Sequence, residues 1–570
     1  MLELQRISDP ALSPDGALVA FVVQTVDLEE NSKPQQIYTV AVSGGSPRRI
    51  TWTGTANFRP RWSPDSRRIA FVSNRSGSNQ LWIMGADGSS PQQVTDLASE
   101  ADGVLWSSDG ETLIFTSEVY PDCPDAACNA ARLEKETESK IKARLYENLL
   151  YRHWDHWRTG RVTHILAAPL NGGPVRDLTP GPQDAPPFSL GGADGYAVSP
   201  DGRELCFVRK PDANPAVHTN TELYAVPVDG SAEPVRLTNM PGADSSPQYS
   251  PDGAFLAFLS QMRGGYESDK WRLAVMRRVA LEEKPAATPP SEQTPGAEEE
   301  KPSWRWDTES VTYLTDALDR PVTGFTWFPD SKRLAFTTED RGRSAIQMMA
   351  VAGGAARVVL PGSSTAGDMQ FTPDGRTMVY TAQSGAHPAD LYAASAAGGA
   401  PVALTRLNDA VLERFELKPF EDFHVEGAGQ TPVHGFLVKP PGFDASRRYP
   451  VLFLIHGGPQ GAWGESWSYR WNAQVFAAAG YVVVMPNPRG STGYGQKFTD
   501  EINADWGGKV FQDLMAAVDY ASALPYVLPD RMAAAGGSYG GYMVNWMLGH
   551  TQRFQALVSH AGIFDLPSFA

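Results

Sequence analysis

An all-β seven-bladed propeller followed by an α/β domain is the architecture this 570-residue sequence predicts. Three observations predict it. A turn signature, an apolar or aromatic residue followed by Ser/Thr/Phe, Pro, Asp and Gly/Ser, recurs through the first two-thirds of the chain. Beyond about residue 410 the repeat gives way to continuous apolar runs that alternate with helix-like segments. One segment of that second region leads straight into Gly536-Gly-Ser-Tyr-Gly540 at the head of a helical pattern.

The repeats come first. They are Leu12-Ser-Pro-Asp-Gly16, Trp62-Ser-Pro-Asp-Ser66, Trp106-Ser-Ser-Asp-Gly110, Val198-Ser-Pro-Asp-Gly202, Tyr249-Ser-Pro-Asp-Gly253, Trp327-Phe-Pro-Asp-Ser331 and Phe371-Thr-Pro-Asp-Gly375. Pro presets φ, Asp bonds locally and Gly supplies a positive φ, so each unit is a hairpin turn. An apolar strand follows each, as in Arg68-Ile-Ala-Phe-Val72. Most intervals are close to the length of a four-stranded propeller blade, and seven units imply seven blades rather than a β-sandwich. The two long intervals hold insertions near 120–160 and 280–305. In the first, Asn129 to Tyr151 is charged, with Ile141, Leu145 and Leu149 at helical spacing, and reads as an amphipathic surface helix. His153-Trp-Asp-His-Trp157 alternates as a strand does and is read so in preference to a metal site. Glu282 to Pro302, rich in Pro, Glu and Thr, reads as a disordered loop.

The repeat pattern places the propeller over 1–408 and the α/β domain over 409–570. In the latter, Tyr449-Pro-Val-Leu-Phe-Leu-Ile455 is an apolar run of the kind buried in a parallel sheet, and Tyr481-Val-Val-Val-Met485 and Ala556-Leu-Val-Ser559 are two more. The segment Arg531 to Ser538 followed by Tyr539 to His550 reads as strand, tight turn and helix, with Gly536 and Gly540 at places where a Cβ would clash. That is the nucleophile elbow of an α/β-hydrolase domain, with Ser538 as nucleophile at a helix N-terminus, where N–H groups favour negative charge. The N–H of Tyr539 is the expected first oxyanion donor. The second is the N–H of Gly458, in the turn His456-Gly-Gly-Pro-Gln460.

His456-Gly-Gly-Pro, Asn487-Pro-Arg-Gly-Ser-Thr-Gly-Tyr-Gly495, Asp505-Trp-Gly-Gly508 and Gly536-Gly-Ser-Tyr-Gly-Gly-Tyr-Met543 together resemble the prolyl oligopeptidase family of serine peptidases, particularly its acylaminoacyl-peptidase branch. The resemblance implies acyl transfer to a serine, a propeller that admits only short peptides, and release of an N-acylated residue; other members are endopeptidases or take dipeptide units, and the sequence does not choose. It also implies the order Ser, Asp, His. The histidines after Ser538, His550 and His560, and the aspartate Asp565 read as structural, so the Asp and His of the triad are expected beyond Ala570. On that expectation the polypeptide is a piece of a longer peptidase, nearly inactive alone, with a short leader also absent. It would associate with the missing C-terminal segment or as a homo-oligomer. The rival reading is a non-catalytic propeller interaction protein with an incomplete hydrolase domain.

Of the remaining candidates, Arg489 is read as a tie for its own glycine-rich loop ahead of a substrate-carboxylate binder. Trp463, Trp467 and Tyr542 are read as packing ahead of pocket lining. A net charge of −16 argues against nucleic acid. No apolar stretch approaches ~20 residues, so no membrane span is expected, and the N-terminus shows no signal peptide. Cytoplasmic location follows, with no cofactor and no metal. Of the three cysteines, Cys206 is expected in the core, and Cys123 and Cys128 as a reduced pair rather than a local disulfide.

Overall fold

Seven four-stranded antiparallel sheets follow one another along the chain, then one six-stranded sheet. The structure is a computed structural model that describes residues 1–147, 149–188, 195–211, 215–280, 304–362 and 364–569. The first blade, Arg6–Leu12, Leu18–Gln24, Gln35–Ala41 and Arg48–Arg49, sets the pattern. The last ends at Val402–Ala403. The stretch from Glu282 to Pro302 lies outside the described residues.

The turn signature works as its chemistry dictates. Ser13 Oγ donates to Asp15 Oδ1 (2.5 Å), Asp15 accepts from Ala17 N–H, and the Leu18 N–H reaches back to Ser13 Oγ at 2.9 Å. Gly16 then takes φ +75°. The same Ser–Asp or Thr–Asp bond recurs at Asp65, Asp109, Asp201, Asp252 and Asp374. Phe328 replaces the hydroxyl in the sixth repeat; it is fully buried and stacks on Phe371 with centroids 4.0 Å apart. The aromatic residue before the turn joins blades. Trp62 and Trp106 each donate Nε1–H to a backbone carbonyl of the preceding inner strand, Ala11 O and Arg61 O.

The ring closes without an exchanged strand. Val19, Phe21 and Val23 of the first blade pack on Val379, Leu391 and Ala393 of the seventh. Gln370 clasps the seam, accepting from Leu12 N–H and donating to Pro10 O, both at 2.8 Å.

Two expectations for the first insertion are corrected. The helix covers Ala126–Glu138 only; Asp125 caps it through the Cys128 N–H, and Ser139 leaves in an extended conformation. Ile141, Leu145 and Leu149 therefore lie beyond its end, exposed. Cys123 and Cys128 are joined in a disulfide instead of a reduced pair. Arg152–His153 and His156–Trp157 pair as a small hairpin, in keeping with the strand reading of that cluster. Cys206 is buried.

The six-stranded sheet runs Glu421–Glu426, Pro432–Val438, Val482–Asn487, Tyr449–Ile455, Val527–Gly537, Ala556–His560 in spatial order. Its last four strands are parallel. Alternation along Tyr449–Ile455 sends Val451, Phe453 and Ile455 to one core and Leu452 and Leu454 to the other. Helices Lys509–Ser522 and Tyr539–His550 cover the first face and Ala473–Ala478 the second, which makes the sheet doubly wound. No helix among the described residues is long and apolar enough to cross a membrane.

A buried polar pair sits at the first blade junction, and its counterpart between the fourth and fifth blades differs. At the first junction, buried Gln36 accepts from Thr51 Oγ1 and from Asn57 Nδ2 at 3.1 Å. Between the fourth and fifth blades, Glu222 takes the place of Gln36 and Asp244 that of Asn57, each fully buried. Glu222 is matched by Arg236 and Thr238. Neither oxygen of Asp244 has a hydrogen-bond partner among the described residues. Burial, with Glu222 adding to it, pushes the Asp244 pKa up to about 7. A carboxyl whose pKa is raised by folding favours the native state below its unfolded value, near 4. That contribution drains away as pH rises through 7. Asp244→Asn, which restores the side chain of the first junction, is expected to stabilise the protein by about 2–4 kcal/mol at pH 8 and to lose the gain by pH 4. Melting temperatures across that range check it; a pH-independent difference contradicts it.

Candidate active site

Strand Val527–Gly537 ends at a point where backbone must meet backbone. A Cβ on Gly536 would lie 2.4 Å from the Gly540 carbonyl, and one on Gly540 would lie 2.2 Å from Ile455 O. Only glycines let the strand turn so tightly into helix Tyr539–His550. Between them Ser538 takes φ 56°, ψ −120° and is exposed, a conformation that costs of order 1–3 kcal/mol and persists only where surroundings enforce it. Two bonds do so: Ser538 N–H donates to His560 O at 3.0 Å, and Ser538 O accepts from Tyr542 N–H at 2.9 Å.

Tyr539 is the first residue of the helix, so its N–H has no intrahelical acceptor. Its side chain is buried, donates to Trp506 O at 2.8 Å and stacks on Tyr542, which fixes the helix start. The His456-Gly-Gly turn sits against the same point: a Cβ on Gly457 would lie 3.1 Å from Gly537 O and 3.5 Å from Ser538 Cβ. Gly458 follows with φ +131°. Buried His456 holds this turn through Nδ1 on Gly457 O (2.8 Å) and Nε2 on Ser491 Oγ (2.9 Å). Burial lowers its pKa, and the ring donates its Nδ1–H to Gly457 O. The elbow thus assembles an exposed hydroxyl, a free helix N-terminus and the glycine turn, the parts that acyl transfer to serine uses.

The histidines after Ser538 are engaged elsewhere. His550 Nδ1 donates to Trp546 O at 2.7 Å and its ring stacks on Trp546 at 4.0 Å. His560 Nε2 accepts from Arg470 Nη2 at 2.7 Å, its ring edge-on to Trp471. Arg489 is 2% exposed and forks onto fully buried Asp513, Nε to Oδ2 at 2.8 Å and Nη2 to Oδ1 at 3.0 Å, with Glu501 beyond. It ties its loop to the helix that carries Asp513. Trp463 donates Nε1–H to Leu454 O, Trp467 is buried beside Leu4 and Leu412, and Tyr542 packs between Tyr539 and Trp546. All three pack.

Sequence reasoning missed the connection between propeller and sheet. Arg343, from the sixth blade, forks onto Asp422 at 2.8 and 3.1 Å. Asp422 accepts from His434 Nε2–H, His434 Nδ1 accepts from Tyr494 O–H, and Tyr494 oxygen accepts from Asn487 Nδ2–H. Burial lowers the His434 pKa, which keeps Nδ1 an acceptor. Asn487 in turn pins both the N–H and the C=O of Trp463. The only sequence signal was Asn487 and Tyr494 within one glycine-rich motif. A second missed feature is a cavity of about 1240 Å³ along the propeller axis, lined by Asp9, Arg59, Arg61 and Asp368 and reaching Gly464 and Ser466 of the α/β domain.

Residues 467–570 match the model of the prolyl oligopeptidase family and residues 5–134 that of the TolB beta propeller domain. Dipeptidyl-peptidase 5 of Porphyromonas gingivalis is 32% identical over 99% of this chain and 78% of its own length. The chain belongs to the prolyl oligopeptidase family. A probable dipeptidyl-peptidase 5 of Aspergillus clavatus is 35% identical over 77% of this chain, and the matched region spans 60% of that protein. Among solved structures, the acylaminoacyl peptidase of Pyrococcus horikoshii superposes with a TM-score of 0.75 at 19% identity, over 98% of this chain and 78% of that one. A puromycin-hydrolyzing peptidase of Mycobacterium tuberculosis gives 0.64 at 18% identity, over 99% and 78%. These two share the fold. As a member of the prolyl oligopeptidase family, the protein is a serine-type peptidase with a seven-bladed propeller.

The buried fork predicts a large effect. Arg489→Met leaves Asp513 charged and unpaired in the core and is expected to cost about 3–5 kcal/mol. Denaturant unfolding followed by tryptophan fluorescence checks it, and a loss below about 1 kcal/mol contradicts it.

Proposed function

We propose that the protein removes dipeptides from the N-termini of short peptides by acyl transfer to Ser538. The elbow supports the chemistry: an exposed serine hydroxyl in a strained turn, beside a free helix N-terminus. The identity of 32% with a dipeptidyl-peptidase along nearly the whole chain supports the substrate class. Ser538 Oγ attacks the scissile carbonyl. The N–H groups of Tyr539 and Gly458 receive the oxyanion, each removal of such a donor typically costing about 3–4 kcal/mol in the barrier. A histidine oriented by an aspartate takes the Ser538 proton and returns it to the leaving amine. His550 and His560 are not that histidine, since their ring nitrogens serve Trp546 and Arg470.

The axial cavity reaches the α/β domain at Gly464 and Ser466, which supports a reading in which the propeller favours short, extended substrates over folded proteins. The disulfide between Cys123 and Cys128 is a bond kept in oxidising compartments and weighs against the cytoplasmic location read from the N-terminus.

Intact-mass spectrometry after treatment with a fluorophosphonate tests the nucleophile. With the histidine and aspartate of the triad supplied, one adduct, mapped to Ser538 and abolished in Ser538→Ala, is expected. Labelling at another residue refutes the assignment. Products from a free-amine hexapeptide and its N-acetyl counterpart then test the substrate class. Dipeptide release from the free peptide alone is expected; release of acetylated residues instead would make it an acylaminoacyl-peptidase.

A further inference from the structure

The third strand of most blades carries a polar residue next to the buried apolar residue whose N–H donates to a threonine hydroxyl. In the first two blades that residue is glutamine. Gln36 and Gln80 each accept from the threonine (Thr51 and Thr95) and use their Nε2–H on a backbone carbonyl, Gly54 O and Leu97 O. In the fourth it is Glu222, neutralised by Arg236 at 2.6 Å. In the seventh it is Asp390, and here the pattern breaks. Oδ1 accepts from Thr405 Oγ1 as usual. Oδ2 is buried without a hydrogen-bond partner among the described residues, on a side chain only 1% exposed.

That oxygen faces His387 and Asp409. His387 Nδ1 lies 3.7 Å from Asp390 Oδ2 and 2.8 Å from Pro388 O, and Nε2 lies 3.1 Å from Asp409 Oδ1. One donor atom from each of the three residues falls within 4.8 Å of the others. We propose that His387, Asp390 and Asp409 form a divalent-cation site joining the seventh blade to the start of the segment that leads into the α/β domain.

The surroundings suit that role. Nδ1–H is spent on a backbone carbonyl, the support that metal-ligating histidines have, and Nε2 is left as ligand. Thr405 orients the Asp390 carboxylate in the same way. Metal bonds of about 2.0–2.2 Å put adjacent ligand atoms roughly 3 Å apart, close to the Nε2–Oδ1 separation. One imidazole with two carboxylates suits Zn²⁺ or Mn²⁺ ahead of the softer, sulfur-seeking ions. Arg406, 3.4 Å from Asp409 Oδ2 and largely exposed, is the nearby cation and is free to swing out. Asp409 begins the short helix Asp409–Leu412, and its neighbour Asn408 clasps Gln5 through both backbone groups. A cation there would fix the linker to the ring next to the seam where the ring closes.

The competing reading is an imidazolium bridging two carboxylates with no metal. Zn²⁺ titration calorimetry and melting of the full chain, first stripped with a chelator, separate the two. One equivalent of Zn²⁺ bound and a higher melting temperature are expected, with affinity at least tenfold weaker in His387→Gln and in Asp409→Asn. The variant His153→Gln/His156→Gln, which removes the exposed histidines of the insertion, is expected to bind as the parent does. Asp390→Asn should lose the Zn²⁺-induced rise yet melt no lower than the parent without metal, because it removes an unpaired buried charge. Absence of binding up to about 100 µM Zn²⁺, binding unchanged in His387→Gln and Asp409→Asn, or binding lost in the insertion variant would each overturn the site.

Discussion

The approach of three backbones at the elbow constrains everything around the candidate nucleophile. Gly540 can stand over Ile455 O, and Gly536 over Gly540, only without side chains. That contact brings the end of strand Tyr449–Ile455, and therefore the His456-Gly-Gly turn, against Ser538. It also sets the helix N-terminus beside the hydroxyl. The positive φ at Ser538 is a consequence: with both flanks fixed, the residue between them has one way to connect. His560 O, accepting the Ser538 N–H, locks the arrangement from the neighbouring strand. Substituting any of these glycines would move the helix N-terminus and Ser538 together.

The parts of the molecule that were legible in the sequence are those whose geometry is local. A Ser-Pro-Asp-Gly turn carries its own hydrogen bonds within five residues, so seven turns could be counted as seven blades. The elbow is likewise local, and its strand, turn and helix follow from the residues around Ser538. That the His456-Gly-Gly turn sits against it required only that its strand neighbour the elbow strand. The ambiguity at Arg489 was of another kind. A guanidinium accepts either a foreign carboxylate or one of its own, and Asp513, 24 residues away on a helix face, carries no sign of being the partner. The chain from Arg343 through Asp422, His434 and Tyr494 to Asn487 was illegible for the same reason. The bonds from Arg343 to Asp422 and from Tyr494 to His434 join elements distant in sequence, and polar residues on strand edges look alike whether they meet solvent or each other.

The insertion shows where periodicity misleads. Ile141, Leu145 and Leu149 repeat every four residues, as a helix face would, but the helix ends at Glu138. Spacing reports which residues would share a face if the segment were helical. It does not supply the surface that would make helix worthwhile, and without tertiary packing a charged segment of this length gains little from the conformation.

Departures from the repeat carry more information than the repeat itself. Phe328 replaces a turn hydroxyl and gains a ring stack. Asp244 replaces a matched amide and gains nothing visible in return, leaving a carboxyl that burial keeps protonated up to neutral pH. Asp390 occupies the position of Gln36 and Gln80, but its shorter side chain ends facing a histidine and a second carboxylate. A propeller offers seven nearly equivalent environments in one chain, so each blade is a control for the others. A buried polar group satisfied in its counterparts and unmatched in one copy cannot be put down to the demands of the fold. At Asp390 the unmatched oxygen lies beside His387 and Asp409, at the start of the segment that links the ring to the sheet.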